Sequence, residues 1–443
     1  MGLPSMRLRL PSRNWMIFIS IMSSFSAAVI YDKRETRRAQ RKWCRLVEHL
    51  ALEPLDPRSM PRRLTVFLEG PPGDGLRVAQ DHFKEYVKPI LVASGLDWQF
   101  IQGRKEGDVR VALAKKIRKL RKPADENWDE EGITVHIRRQ NGIKEFDGAQ
   151  GDIVIGRHTW KEYLRGLHEG WLGPLDAPAS CEPENQSGDL QSKRSLNQEP
   201  RLESFPELPI ASKSDEKNHL LDNNTSETAP EALSGTQEKS SLPPFITSSA
   251  YSSAPTPAQL PPEFDPSVPI PLPHVLGFLN TPTRLYRFLN RRHLADSIGR
   301  ETAAIILSTY RPYNSASPVM ESSSPPTPDY TSIVNEDEKE SEQATALFEE
   351  EKDWHKSVRK HTEGESERTW LDDVVLDPRI AGRMRRAELT REGEEMAAQI
   401  VVPEEEVEGL VKGSIRKYWR AGKEYVDLRF KSPEAPQKFN DEE

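Results

Sequence analysis

One long uncharged run stands out in the pattern of hydrophobic and polar positions. Residues 14–31 (NWMIFISIMSSFSAAVIY) carry no charge, and at about 1.5 Å per residue they span most of a roughly 30 Å hydrocarbon core. Lys33 and Arg34 directly behind the run disfavour signal cleavage. We therefore predict an uncleaved membrane anchor after a basic targeting segment, residues 1–13; a cleaved signal and a buried helix are the alternatives. The apolar anchor side chains include Trp15, Ile17, Phe18, Ile19, Phe25, Val29 and Ile30.

Small side chains recur at every fourth position of the predicted anchor. Ser20, Ser24 and Ala28 would lie on one helical face, where a second transmembrane helix can approach closely. The alternative is a weakly hydrophobic span without a helical partner. Basic residues on both flanks leave the orientation open, whereas the acid-free, arginine-containing first 31 residues fit a mitochondrial address.

The segment behind the anchor, residues 32–57, continues as a basic amphipathic helix. Its apolar positions Trp43, Leu46, Val47 and Leu50 share one side. The basic side chains favour either contact with anionic lipid or a solvated stalk helix, and the pattern does not separate the two.

Residues 61–173 alternate between strand and helix periods. Such alternation predicts a parallel α/β sheet with right-handed crossovers. The expected strands are 64–68, 97–101, 133–137 and 152–155, and the expected helices are 77–93, 107–120 and 161–172.

The remainder of the chain is predicted as alternating linkers and ordered pieces. Proline- and serine-rich composition indicates disorder over 174–266, and an acidic, proline-rich stretch indicates it again over 314–343. Between them, residues 267–313 form a helix–strand segment that packs on the main domain, with a helix starting at Thr281-Pro282 and a β-branched run at 302–309. Residues 344–443 form a charged helical tail, with helices near 378–399 and 403–420, that needs a partner or the main domain to stay packed.

Composition narrows the possible functions. Hydrophobic residues make up 35% and charged residues 30% of the 443 residues, with 36 prolines, which excludes a polytopic membrane protein. A net charge of −8 disfavours nucleic acid as a partner. Two cysteines exclude a disulfide scaffold, and the ten histidines lack metal-ligand spacing. We expect neither metal nor cofactor.

Two loops at predicted strand ends are candidate catalytic positions. The turn 70–75 (GPPGDG) follows the first strand, but Pro71 and Pro72 have no N–H to offer a phosphate and no Walker lysine follows. His158 follows the strand 152–155, where doubly wound sheets bind ligands, yet it has no paired nucleophile or carboxylate in sequence. We expect a plain turn at the first site and a packed or capping histidine at the second.

Several sequence blocks resemble one known family. Residues 3–122 contain LPSRNW, AAVIYDKRE, QRKWC and PRRLTVFLEGPPGDGLRVAQDHFKEYVKPILVASGLDW, followed later by GDIVIGRHTWKEYLRGLHEGWLGPL and PHVLGFLNTPTRLYRFLNRRHLADSIGRETAAIIL. They are similar to the fifty-four-kilodalton subunit of the mitochondrial inner-membrane translocase that inserts multi-span carrier proteins. The resemblance implies a non-enzymatic, single-pass inner-membrane protein whose soluble domain lies in the intermembrane space. It also implies a scaffold that contacts the channel-forming subunit, small intermembrane-space chaperones and inner-membrane lipids.

The α/β block also resembles the catalytic domain of diacylglycerol and acylglycerol kinases. The order VFLEGPPGDG, KPILVASGLDW, DIVIGRHTWKEYLRGL follows that of the kinases, but acidic and glycine residues that approach phosphate and metal there are replaced here. The resemblance implies a lipid-kinase-like α/β fold without activity; an active acylglycerol kinase and a scaffold for another inner-membrane complex are the alternatives. The degenerate motif comprises Glu69, Gly70, Gly73, Gly75, Gly156, Arg157, His158, Thr159 and Glu162.

Overall fold

The chain forms a mixed α/β structure with a long amino-terminal helix. The computed structural model describes residues 12–122, 130–176, 243–313, 341–355, 358–359, 368–409 and 418. The strands are β1 Arg63–Glu69, β2 Asp97–Gly103, β3 Asp152–Ile155, β4 Pro266–Ile270, β5 Tyr310–Pro312 and β6 Arg385–Ala387. The helices are α1 Arg13–Val47, α2 Leu76–His82, α3 Lys88–Ser94, α4 Asp108–Arg121, α5 Glu130–Gln140, α6 Arg157–Leu172, α7 Thr281–Phe288, α8 Arg291–Ile306, α9 Glu342–Thr345, α10 Glu349–Asp353, α11 Pro378–Ala381, α12 Arg391–Gln399 and α13 Glu404–Glu408.

The strands form one sheet in the order β2-β1-β3-β4-β6-β5. All neighbours are parallel except β5 and β6. Alternate side chains of β1 face opposite sides: Leu64 and Val66 join one apolar cluster with α1, α3 and α8, and Phe67 joins a second with α4 and α6. The sheet is therefore covered on both faces. The predicted α/β class is confirmed, with a sheet that is mostly rather than wholly parallel.

One predicted strand is a helix. Residues 133–137 lie inside α5, with Ile133 and Ile137 both about half exposed. The two isoleucines are four residues apart, a spacing that fits both a strand's alternation and one face of a helix. Basic residues in the last turn, Arg138 and Arg139, interact favourably with the helix dipole, so the helical alternative prevails.

The juxtamembrane segment is neither a lipid-lying helix nor a solvated stalk. α1 runs without interruption from the apolar run to Val47, and Trp43, Leu46 and Val47 are buried in the core against α8. On the same side of α1 as Val47, the Gln40 side chain donates to the Glu85 carbonyl at 2.7 Å, which Pro89 four residues later has no N–H to satisfy. The membrane-proximal helix is thus part of the globular domain.

The apolar end of α1 leaves the domain at the carboxyl edge of the sheet. Asp32, the first charged residue after the apolar run, accepts the backbone N–H groups of Arg291 and Arg292 at the start of α8, at 3.2 and 3.3 Å. The last carbonyls of α8 bond to the Arg62 guanidinium, just before β1. α8 therefore runs from the carboxyl to the amino edge, parallel to α1.

The segment predicted as helix then β-branched strand is organised differently. The helix beginning at Thr281 ends at Phe288, and a second helix, α8, continues through most of 302–309 to Ile306. Thr302, Ile305 and Ile306 are buried on α8, so tertiary packing overrides their strand propensity. β4, at the start of this segment, is a central strand rather than part of an appendage.

The linkers and tail contribute more to the domain than their composition indicates. Residues 243–266, assigned to a disordered linker, include buried Tyr251 and Ala254 in the core. The helix expected over 378–399 is divided into α11, strand β6 and α12. α12 and α13 pack against α1, where Arg34 pairs with Glu404 at 2.5 Å; the expectation that the tail needs the main domain agrees with this packing.

Some predictions lie outside the described residues. These are the targeting segment up to residue 11, the linker residues 177–242 and 314–340, and the tail after 409 except Tyr418.

Candidate functional site

The degenerate motif converges at the carboxyl ends of β1 and β3. Glu69 is the last residue of β1, and Gly156 links β3 to α6, whose first residues are Arg157, His158 and Thr159. Gly156 has φ +90°, and a Cβ there would lie 2.7 Å from the His158 ring. The turn therefore needs glycine, both for its backbone and for the close histidine.

Two buried carboxyl groups face each other below this turn. Glu69 and Glu162 are fully buried. Burial raises the pKa of Glu69 well above its usual value, and the neighbouring Glu162 carboxylate raises it further. Neither Glu69 oxygen accepts an N–H or O–H bond from a described residue. Glu69 is therefore the member of the pair that keeps a proton at neutral pH.

Glu162 occupies the place where a helix would bind an anion. Its carboxylate accepts the backbone N–H groups of Gly107, Val109 and Arg110 at the start of α4, the latter two at 3.1 and 3.2 Å. Helix amino termini attract phosphate groups through such N–H donors and the helix dipole. Here the chain supplies its own negative group, so these donors are already used.

Arg157 holds the first tail segment over the site. This guanidinium, 3% exposed, donates to the Ala344 and Ala346 carbonyls at 2.7 Å and to Glu351 at 2.6 Å. The Glu350 carboxylate accepts the backbone N–H of Arg157 at 2.8 Å and of Leu272 at 2.6 Å. Burial raises the pKa of Glu350 to about 7. Residues 341–355 are thus tied to the carboxyl ends of the strands.

Trp370 inserts from the second tail segment. Its indole Nε1–H donates to Glu162 at 3.0 Å, and its ring meets His158 edge to face at 5.7 Å between centroids. Its backbone carbonyl accepts from Lys161 at 2.7 Å. Burial lowers the pKa of His158 to about 4, so the imidazole is neutral at pH 7. The histidine packs, as the sequence predicts, and does not act as a free base.

Very little space remains between these groups. The cavity beside His158 and Trp354 has a volume of about 10 Å³, roughly what one water molecule requires. Gly73 and Gly75 lie on the turn after β1, where Asp74 pairs with His274 at 3.4 Å. Among the described residues no group of three or more His, Cys, Asp or Glu is arranged to hold a metal ion.

Sequence reasoning located one half of this site and missed the other. Glu69, the Gly156–Thr159 turn and Glu162 are brought together, whereas the residues that close the cleft, Trp370 and Glu350, come from the charged tail. The one sequence signal for Trp370 is a large aromatic residue in a strongly polar stretch, which indicates a docking point but not its target.

The predicted anchor residues take no part in this cleft and lie on the apolar half of α1. Ser20, Ser24, Ala28 and most of the large apolar side chains there are exposed. Among the described residues α1, continued by its 3-10 turn over Arg13–Leu52, is the single helix long and apolar enough to span a membrane, with mean hydropathy 1.5 in its most apolar window.

Comparison with known proteins relates the chain to one family. The profile of the inner membrane protein import complex subunit Tim54 matches residues 1–387. The mitochondrial import inner membrane translocase subunit tim54 of Neurospora crassa is 46% identical over 434 residues, covering 94% of this chain and 86% of that protein. Its namesake in Aspergillus oryzae is 46% identical over 435 residues, covering 94% and 93% respectively. The protein of that name in Aspergillus fumigatus is 44% identical over 425 residues.

Proposed function

The chain belongs to the Tim54 family of mitochondrial inner-membrane import translocase subunits. From that membership we propose that it is a non-enzymatic subunit of the translocase that inserts multi-span carrier proteins. α1 tethers the domain to the inner membrane, and the domain acts as a docking platform for small chaperones in the intermembrane space. Its α/β domain has a fold similar to that of lipid kinases, and the cleft at the carboxyl ends of β1 and β3 is closed.

The filled cleft is the observation that carries this proposal. The anion-binding N–H groups at the start of α4 are taken by Glu162, and Trp370 and residues 341–355 close the remaining access. Kinases hold transferring phosphates with free N–H groups, basic side chains and metal-binding carboxylates. Here Arg157 is committed to the tail and Glu69 is protonated, so the groups left around the cleft do not supply this chemistry.

A phosphoryl-transfer assay separates the platform from an active lipid kinase. Full-length protein in mild detergent is incubated with acylglycerols, ATP and Mg²⁺, and we expect no product above a protein-free control. Turnover that Glu162→Gln abolishes would overturn the non-enzymatic assignment.

The small-residue face of α1 supports contact with the channel-forming subunit. Ser20, Ser24 and Ala28 lie one helical turn apart on the exposed half of α1, which permits close helix approach. Ser24→Leu should lower recovery of the channel-forming subunit in affinity purification from mild detergent. Ser26→Leu adds the same bulk on the opposite side of the helix and serves as the matched control. Equal loss in both variants would contradict this helix face, and absence of the channel-forming subunit from wild-type material would favour a scaffold for another complex.

Protease access tests the orientation of the domain. Alkaline carbonate should leave the protein in the membrane pellet, because α1 is long and apolar enough to span the bilayer. Protease added to swollen mitochondria should degrade the chain after about residue 50, as expected for a domain in the intermembrane space. Protection of the domain would place it in the matrix and exclude docking of chaperones there.

A further inference from the structure

α7 and the turn before it present an uncovered apolar surface. Phe278 and Leu279 are 88% and 91% exposed, Tyr286 on α7 is 69% exposed, and Leu285 and Phe288 are also exposed. Single exposed apolar side chains are ordinary on a protein surface, but five large ones within eleven residues mark an interaction site. We call Phe278–Phe288 the α7 patch.

The α7 patch lies at the membrane end of the domain. It leads directly into α8, whose first backbone N–H groups bind Asp32, one residue beyond the apolar run of α1. The Arg292 guanidinium also lies over the ring of Tyr31, at 5.4 Å from its centroid. The start of α8 is therefore at the level where α1 passes from hydrocarbon to water, and the α7 patch adjoins that level.

The charge of this region complements an anionic surface. Residues 281–292 contain Arg284, Arg287, Arg291 and Arg292 and no acidic residue. Arg287 and Arg291 pair with Asp353 and Glu85 on neighbouring elements, while Arg284 is exposed. Large apolar side chains beside arginines are the composition of helices that lie in a lipid interface.

We infer that the α7 patch inserts into the head-group boundary of the same bilayer leaflet from which α1 emerges. The occupant of the apolar surface is lipid, because the patch continues a surface, the apolar half of α1, that lipid already covers. Gly277, with φ +101°, and Pro282 in the first turn of α7 fix the shape of the projecting turn. The domain thus meets the membrane at two points, α1 and the α7 patch. This inference rests on the membrane span of α1 and is independent of a role in carrier insertion.

Depth-dependent fluorescence quenching tests the insertion. A Cys44→Ala, Cys181→Ser background carries either Leu279→Cys or Leu52→Cys, each labelled with an environment-sensitive dye. Leu52 is the matched control: it is also a leucine, 81% exposed, but it ends the turn after α1, about 30 Å along the helix from Tyr31. The full-length protein is reconstituted in vesicles of phosphatidylcholine with a minority of cardiolipin, and brominated lipids serve as quenchers.

We expect the dye at 279 to emit at shorter wavelength and to be quenched several-fold more strongly than the dye at 52. Equal exposure of the two dyes to water would overturn the inference. A dye at 279 that is shielded from water but not quenched by lipid would also overturn it, because a protein surface would then cover the patch.

A charge variant tests the anionic attraction separately. Arg284→Glu should reduce quenching at 279 in cardiolipin vesicles, whereas Arg63→Glu, exposed at the amino edge of the sheet, should leave it unchanged. Equal effects of the two substitutions would contradict the electrostatic part. Carbonate extraction of each variant reports on the span of α1 alone, so loss of the α7 contact is distinguishable from loss of the anchor.

Discussion

Trp370 is the side chain whose removal tests the closed cleft most directly. It is 9% exposed, its indole N–H binds Glu162 at 3.0 Å, and its backbone N–H donates to Glu106 at 3.0 Å. Trp370→Phe removes the bond to Glu162 and keeps most of the ring. Burial raises the pKa of Glu162 to about 7, so at pH 8 the acceptor is mainly ionised. A hydrogen bond to a charged acceptor contributes about 1.5–3 kcal/mol, and we expect this loss in the free energy of unfolding at that pH. Trp370→Ala adds a cavity and should cost about 3–5 kcal/mol.

These free energies translate into measurable melting shifts. For a domain of this size about 1 kcal/mol corresponds to roughly 2 °C, which gives roughly 3–6 °C for the phenylalanine variant and roughly 6–10 °C for the alanine variant. Thermal unfolding of full-length protein in detergent, followed by circular dichroism, measures the shift. Limited proteolysis should release the 341–409 region sooner in Trp370→Ala.

The control is Tyr418→Ala, which removes an aromatic residue that is 77% exposed and should leave melting unchanged. If both Trp370 variants melt like wild type and their tails resist protease equally, then the tail does not close the cleft in solution and the basis for excluding nucleotide fails.

Three further predictions concern pH and packing. Burial raises the pKa of Glu350 to about 7, so the stability that the protonated group contributes, on the order of 3 kcal/mol, is lost as the pH rises from about 4.5 to 7. In Glu350→Gln the free energy of unfolding, measured with denaturant at several pH values, should depend less on pH over this range. An unchanged pH dependence would contradict the prediction. Burial lowers the pKa of His168 on α6 to about 4, so the protein loses stability, again on the order of 3 kcal/mol, as the pH falls from about 6.5 to 4. His168→Gln should reduce this loss of stability in acid, and a loss as steep as that of wild type would refute the prediction. In Gly299→Ala the new Cβ would lie 2.2 Å from the Trp43 ring, and the substitution should lower the free energy of unfolding by about 1–3 kcal/mol. Thermal unfolding measures this against Ser297→Ala, a substitution at an exposed position of the same helix. Similar melting of both variants would show that α1 does not pack there.

The sheet was predictable because its signals are local. The alternation of Leu64, Val66 and Leu68 with Phe67 sets which side of β1 meets which helix layer, and β3 is found with the predicted bounds. The pattern of residues 133–137 does not distinguish a strand from the helix found there, because the spacing of Ile133 and Ile137 satisfies both periods.

The missed features depend on contacts between distant parts of the chain. The sequence around Trp43 fits a helix that lies on lipid or stands in solvent. Its apolar face is buried in the core only because it packs against α8, which lies some 250 residues later in the chain. The half of the cleft formed by Glu69 and Glu162 lies where strand ends meet, which the sheet pattern indicates. The half supplied by Trp370 and Glu350 lies in polar sequence, where no periodicity reveals which surface a single aromatic or acidic side chain will meet.

Because α1 is one uninterrupted helix, the membrane span proposed for it would act as a lever on the whole α/β domain. With no hinge between Arg13 and Val47, any lean that the bilayer or a neighbouring helix imposes on the span passes straight to the sheet. Spans commonly lean by roughly 20°, and a change of only about 10° displaces the far end of α1, about 24 Å along the helix from Tyr31, by about 4 Å. Bilayer thickness and the helices alongside can therefore aim the platform mechanically, without any rearrangement inside it.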